Sequence, residues 1–223
     1  MRNRRRSQSR CDTVRVVYAP HFNRMDDAGI PAFLEAIGTA ELVTVGADGY
    51  PIVTLMPFVR DGDRLLMHMA RANPHWRSLA PGSPALAIVA GPQAYVSPSS
   101  YATKKEHGRV VPTWNYSGVH LTGRVEAHQD EEWLRDVVVR LTDLHEQHRT
   151  TRWGVADAPE DFVRKQLRAI VGIELRVERV EAKAKLSQNR SDEDRAGVIA
   201  GLETEGAARE RAVAAEMRRV GGR

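Results

Sequence analysis

The chain has 223 residues, 42% hydrophobic and 28% charged, a length that forms one large domain or two small ones around a sizeable core. Its 33 Lys and Arg against 29 Asp and Glu leave a formal charge of +4, and Arg2, Arg4, Arg5, Arg6 and Arg10 crowd the first ten residues. With no run of about eighteen apolar residues, no apolar stretch after the basic start and Cys11 as the one cysteine, the sequence argues against a membrane-spanning helix, a secretory signal, an internal disulfide and a cysteine-cluster metal site, and a reducing cytoplasm is the expected home.

Residues 1–13 read as a disordered basic tail, 14–202 as one globular domain, and 203–223 as a C-terminal helix, exposed or frayed because it holds few large apolar side chains. Beyond the tail the body is close to neutral. That argues against sequence-specific nucleic-acid binding, which needs basic charge spread over a folded face. The globular part opens with a strand over Val14–Tyr18 and a helix over Asp27–Ile37, with Pro31 in its first turn and Phe33, Leu34 and Ile37 on one face.

A meander follows. Glu41–Val45 and Tyr50–Val59 are joined by Gly46-Ala47-Asp48-Gly49, a hairpin signal. Asp61-Gly62-Asp63 turns the chain into Arg64–Met69, and Asn73-Pro74 starts a short helix. Ala85–Ala90 is a strand broken by Gly91-Pro92 and resumed at Gln93–Ser97. Thr113–Ala127 is long and β-rich. Asp130 caps a helix to His148 whose apolar stripe is Trp133, Val137, Leu141 and Leu144. A second helix covers Pro159–Ala169, and Ile170–Val180 alternates as a half-buried strand. Hairpin-linked strands with helices between them predict an α+β fold, a small antiparallel barrel with peripheral helices.

Several stretches are more polar or aromatic than a barrel needs. His68 to Trp76 sets His68, Arg71, Asn73 and His75 around a helix start, a pattern suited to an anion clamp beside a metal-ligating imidazole. Lys104 to Arg109 is a loop of positive charge. In Trp114-Asn115-Tyr116 an amide sits between two rings, and a planar heteroaromatic ligand would satisfy both. Lys185, Ser187, Gln188 and Asn189 form a dense run of side-chain donors. His145 and His148 do not have the spacing of a zinc-protease helix, and no serine sits on a nucleophile elbow.

Together the strings HMARANPHW (68–76), GPQAYVSPSSY (91–101), KKEHGRVVPTWNY (104–116), AIVGIEL (169–175) and KLSQNRSDEDRAGVIAGL (185–202) resemble the PaiB-like family of FMN-binding negative transcriptional regulators, from about Tyr18 to Leu202. The resemblance implies a split β-barrel of the flavin-oxidase type over 14–202, a homodimer, and a cofactor site at the subunit interface. Three positions depart from the family: Ser100 and Ala184 stand where it has Trp, and Leu55 where it often has His. Losing two Trp side chains removes on the order of 400 Å² of aromatic surface, so the core is repacked or the pocket is wider.

The piperazate synthases resemble this family but use haem b, closing N5-hydroxy-L-ornithine into L-piperazate with a new N–N bond. A wider pocket suits haem, and the leading expectation is such a haem-dependent cyclase, with an FMN-binding redox protein or regulator as the alternative. On the haem reading His68 is the axial iron ligand, with His75 second. Arg71, Lys104, Lys105, Arg109 and Lys185 meet propionates, and Trp114, Asn115, Tyr116, Ser187, Gln188 and Asn189 line the ring. The candidate general bases for deprotonating the substrate amine are Lys105, His107 and Tyr116, and Arg109 would hold its carboxylate. With FMN, Arg71 and the helix start at Asn73 hold the phosphate. The partners expected are an amino-acid substrate and a second copy of the chain.

Overall fold

A computed structural model describes residues 17–204 and 207–221. The basic tail and most of the strand expected over Val14–Tyr18 lie outside the described residues. Two short 3-10 turns lead into α1 (Ile30–Ile37), which ends at Gly38 in the left-handed conformation with φ 66°. Strands β1 (Thr39–Val45), β2 (Pro51–Asp61) and β3 (Arg64–Ala70) form the meander. The first hairpin turns where the sequence placed it: the Asp48 carboxylate accepts from the Tyr50 amide at 3.1 Å, and Gly49 takes φ 84°. After a 3-10 turn at Pro74–Ser78 come β4 (Ser83–Val96), the single turn of α2 (Lys104–His107) and β5 (Thr113–His128). Helices α3 (Glu131–Glu146) and α4 (Glu160–Leu167) precede β6 (Ile170–Lys185), and α5 (Asp192–Thr204) and α6 (Ala208–Gly221) complete the chain.

The six strands close in the order β1-β2-β3-β6-β5-β4, every pair antiparallel. Past its pairing with β3, the far edge of β6 meets the segment before α1 through the Arg24–Lys183 bridge. Alternate residues point inward: Leu42, Met56, Met67, Val89, Leu121 and Ile173 all belong to one core cluster. Gly123 permits the tight bulge at the β5–β6 crossing, since a Cβ there would lie 1.9 Å from the Arg176 carbonyl oxygen. β4 is one strand, not two. Gly91 and Pro92 fall in a bulge between the paired residues Ala90 and Gln93, where the missing proline N–H costs no ladder bond.

Two helical layers cover parts of the barrel. The Asp130 carboxylate caps α3 by accepting from the Trp133 amide at 2.8 Å. That helix buries Val137 and Leu141 against Leu66 on the outer face of β3, and Leu134 against Val163 and Leu167 of α4. The C-terminal segment differs from the expectation of an exposed or frayed helix. α6 packs on α5 and β4, and its Val213, Ala214 and Met217 are fully buried in the main core. Three apolar residues on one face suffice because the barrel end supplies the rest of the contact surface. No helix among the described residues is long and apolar enough to cross a membrane.

Candidate functional site

The outer face of the barrel is uneven. α3 and α4 cover the part around β3, the end of β2 and the start of β6, and the segment before α1 lies along the end of β6, where Arg24 bridges Lys183, the Met25 amide donates to the Ala182 carbonyl and the Val17 amide to the Glu181 carboxylate; the part formed by the start of β2, β1, β4 and β5 is the barest. Strand register lays out this bare wall. One row runs Leu55, Glu41, Ile88, His120, Glu181 across the five strands, and the next runs Val53, Val43, Leu86, Thr122, Arg179. On the other side of the first row come Ala90, Gly118 and Lys183, then Gln93, Tyr116 and Lys185, then Tyr95 and Trp114. Leu55 is 66% exposed, Val53 53% and Tyr95 49%. An apolar patch of this continuity on an isolated barrel marks a binding surface.

Register sets the smallest side chains of the wall at its middle, a low spot between larger neighbours. Its floor is Ala90 and Gly118, and a Cβ added at Gly118 would meet only the Val89 carbonyl oxygen, at 3.5 Å. Along β5 the depression is bounded by Tyr116 and His120, four residues and ~13 Å apart. The Trp114 and Tyr95 rings lie 6.4 Å apart at its upper end. The Lys183 ammonium sits 5.1 Å from the Tyr116 ring centroid, and the Lys185 ammonium donates to the Thr113 hydroxyl at 2.5 Å and the Trp114 carbonyl at 2.6 Å. Burial, then the charges of Lys183 and Arg190, hold the Lys185 pKa below its ordinary value. Three cations kept within electrostatic reach of one another are a site for an anion.

The residues singled out in the sequence divide into three groups. Trp114, Tyr116 and Lys185 stand on the bare wall. Lys104, Lys105, His107 and Arg109 are exposed around α2, where Lys104 donates to the Ser99 hydroxyl at 3.0 Å and the Arg109 amide donates to His107 Nδ1 at 3.0 Å. The others serve the scaffold. Asn115 and Ser187 are buried and bonded to each other, Nδ2 to Oγ at 3.1 Å and Oγ to Oδ1 at 3.2 Å, with Met217 Sδ 3.4 Å from Nδ2. Gln188 folds back to donate to the Ala184 carbonyl and accept from the Leu186 amide, while Asn189 is exposed. Arg71 donates to the carbonyls of Arg168 and Ile170 and to the Gln129 side chain, and Asn73 caps the 3-10 turn by accepting from the His75 amide.

The two histidines proposed for iron are placed differently. His68 is on the wall covered by α3. It pairs with Gly172, which pairs with His128, and Trp133 fills the notch between them: a Cβ on Gly172 would lie 2.0 Å from the indole. The indole stacks on His128 at 4.3 Å. His68 Nδ1 is buried without a hydrogen-bond partner, and burial lowers its pKa. His75 is fully buried, with Nε2 bonded to the Thr44 hydroxyl and Nδ1 to the Thr54 hydroxyl, both at 2.8 Å; burial lowers its pKa also. Among the described residues no group of three or more His, Cys, Asp or Glu could hold a metal ion.

Of the three positions that depart from the family, Leu55 is exposed on the wall and the other two are buried or partly buried. The Ser100 carbonyl and hydroxyl press on Gly197 and Gly201 of α5, where a Cβ would come within 2.2 and 2.6 Å. Ala184 is buried in the main core. At Ser100 α5 lies close against the barrel, and Ala184 lines a small cavity with Met25, Gln188 and Val220. Sequence reasoning missed His120, Glu181 and Lys183 as wall residues. Their signal was the period-two spacing of Tyr116, Gly118 and His120 against Glu181, Lys183 and Lys185, which says nothing until the two strands are paired.

A six-stranded closed antiparallel barrel with outer helices and a cationic, aromatic bare wall defines the class of FMN-binding-type split-barrel proteins. The family model described as "Putative FMN-binding domain" matches residues 17–179, and the chain belongs to that family. It is 31% identical over 194 residues to the protein named protease synthase and sporulation protein PAI 2 of Bacillus subtilis, covering 85% of this chain and 90% of that one. Among solved structures, Rv2991 from Mycobacterium tuberculosis matches with TM-score 0.56 at 16% identity over 78% of this chain and 92% of its own. The FAD- and haem-binding protein from Mycobacterium smegmatis matches with TM-score 0.55 at 24% identity over 77% of each chain. These structural likenesses establish the fold.

Proposed function

We propose that this protein is a flavin-binding redox protein that holds FMN on the bare wall, with a second copy of the chain covering it. The observation that carries this reading is the Lys183–Lys185–Arg190 cluster at one end of a ring-sized depression with a small-residue floor. A phosphate at the cluster would offset the burial, and the lesser repulsion from Lys183 and Arg190, that hold the Lys185 pKa down. Tyr116 and Trp114 offer faces to a planar ring, and the exposed apolar residues of β1 and β2 offer the area that a second barrel would bury. When bound, FMN supplies hydride or single-electron transfer. The chain's part is to anchor the phosphate, orient the ring and keep water from one of its faces.

The haem-dependent cyclisation of N5-hydroxy-L-ornithine to L-piperazate has less support. His68 sits under α3, away from the depression, and His75 uses both ring nitrogens on threonines. The absorption spectrum of purified protein reconstituted with FMN or haem b separates the two. Stoichiometric FMN uptake with a two-banded flavin spectrum is the expected result. A Soret band lost in His68→Ala or His75→Ala, with no FMN uptake, would replace this reading with the haem one.

A further inference from the structure

We infer that His120, paired across the strands with Glu181, touches the ring of the bound cofactor at the end of the depression opposite the cation cluster and exchanges a proton with it; this rests on the proposed flavin reading. His120 lies directly opposite Glu181 on β6 and Ile88 on β4. Among the described residues its Nδ1 is buried and without a hydrogen-bond partner. A buried, unsatisfied ring nitrogen on a ligand-facing wall is costly unless a ligand completes it.

The floor between His120 and Tyr116 carries no side chain larger than a methyl, because Ala90 and Gly118 occupy it. A flat ring anchored through its phosphate at Lys185 passes Tyr116, which pairs with Lys185, and reaches His120 at the far end of that floor. The charged and titratable groups of the surrounding wall are Glu181, Arg179 and Lys183 on β6, Tyr116 on β5 and Glu41 on β1. Arg179 is 3.4 Å from the Glu181 carboxylate and donates to the Thr122 hydroxyl at 3.3 Å, and the Val17 amide donates to the same carboxylate at 3.5 Å; together they hold it in place on β6. Burial lowers the His120 pKa and the Glu181 charge raises it. Burial is the larger of the two, so the His120 pKa lies below its ordinary value.

The test is the reduction potential of bound FMN as a function of pH, with the affinity for FMN measured alongside. In the wild type the potential–pH line should bend at the pKa of His120. In His120→Gln the bend should vanish, with FMN bound more weakly but still measurably. In Glu181→Gln the bend should move to lower pH, because the raising charge is gone. A bend unchanged in His120→Gln, with FMN still bound, would overturn this inference and leave the flavin reading standing. Failure of the wild type to bind FMN at all would overturn both.

Discussion

Asn115 and Ser187 are buried together because each satisfies the other, and that exchange settles what the amide between Trp114 and Tyr116 is for. Strand alternation turns the two rings outward and the amide inward, where Ser187, held at φ 64°, and Met217 meet it. The sequence showed an amide between aromatics, but not that the period of two splits them between faces. Asn115→Ala should cost ~1–3 kcal/mol, the penalty of a buried hydroxyl left without its partner. Urea unfolding should show that loss, with FMN affinity of the folded protein unchanged; weakened FMN binding at unchanged stability would restore Asn115 as a ring contact. A second residue-scale expectation concerns Lys185. Its Thr113 and Trp114 contacts leave the charge intact, so Lys185→Ala should weaken FMN by roughly 1.5–3 kcal/mol, as expected for a lost charge-assisted hydrogen bond, with little change in unfolding midpoint.

At the scale of elements, the histidines make α3 sensitive to acid. Burial lowers the pKa of His68, beneath α3, and of His75, at the barrel end. Each takes its ordinary value of about 6.5 when unfolded. Their contribution to stability is complete above that value and is lost as pH falls through it toward the lower folded pKa. The urea midpoint should therefore drop on acidification below about pH 6.5, and His68→Gln should flatten the drop; an equal drop in the variant would show that His68 is not its source. α6 gives the other element-scale expectation. Met217 is fully buried against the barrel and Asn115, so Met217→Ala should destabilise by ~2–5 kcal/mol. A loss below ~0.5 kcal/mol would return α6 to the exposed helix its composition suggests. That composition misled because helix amphipathicity counts a helix's own apolar residues, and the barrel end that receives them lies far away in sequence.

For the whole molecule, the strands were legible because nearly every one alternates, and the turns at Gly46–Gly49 and Asp61–Asp63 carry their own chemistry. The order of pairing was not, since β3 joins β6 and β1 joins β4 only when the barrel closes. The same gap hid the site: the wall exists only across β4, β5 and β6, so a motif read along one strand finds Trp114 and Tyr116 but not the His120–Glu181 pair. A bare apolar wall also predicts association. Sedimentation at micromolar concentration should show a dimer, and Leu55→Glu with Val53→Lys, both exposed on β2, should give a folded monomer. A wild-type monomer with FMN bound would remove the second copy from the account.

The central claim is that the depression over Ala90 and Gly118 is where the cofactor lies. Gly118→Trp tests it most directly, because the new side chain projects outward into the depression and a Cβ there meets only ordinary contact with Val89. FMN titration of Gly118→Trp beside the wild type should show affinity reduced at least tenfold, ~1.4 kcal/mol, with the thermal midpoint unchanged. Wild-type FMN affinity in the folded Gly118→Trp protein would contradict the account and place the cofactor elsewhere.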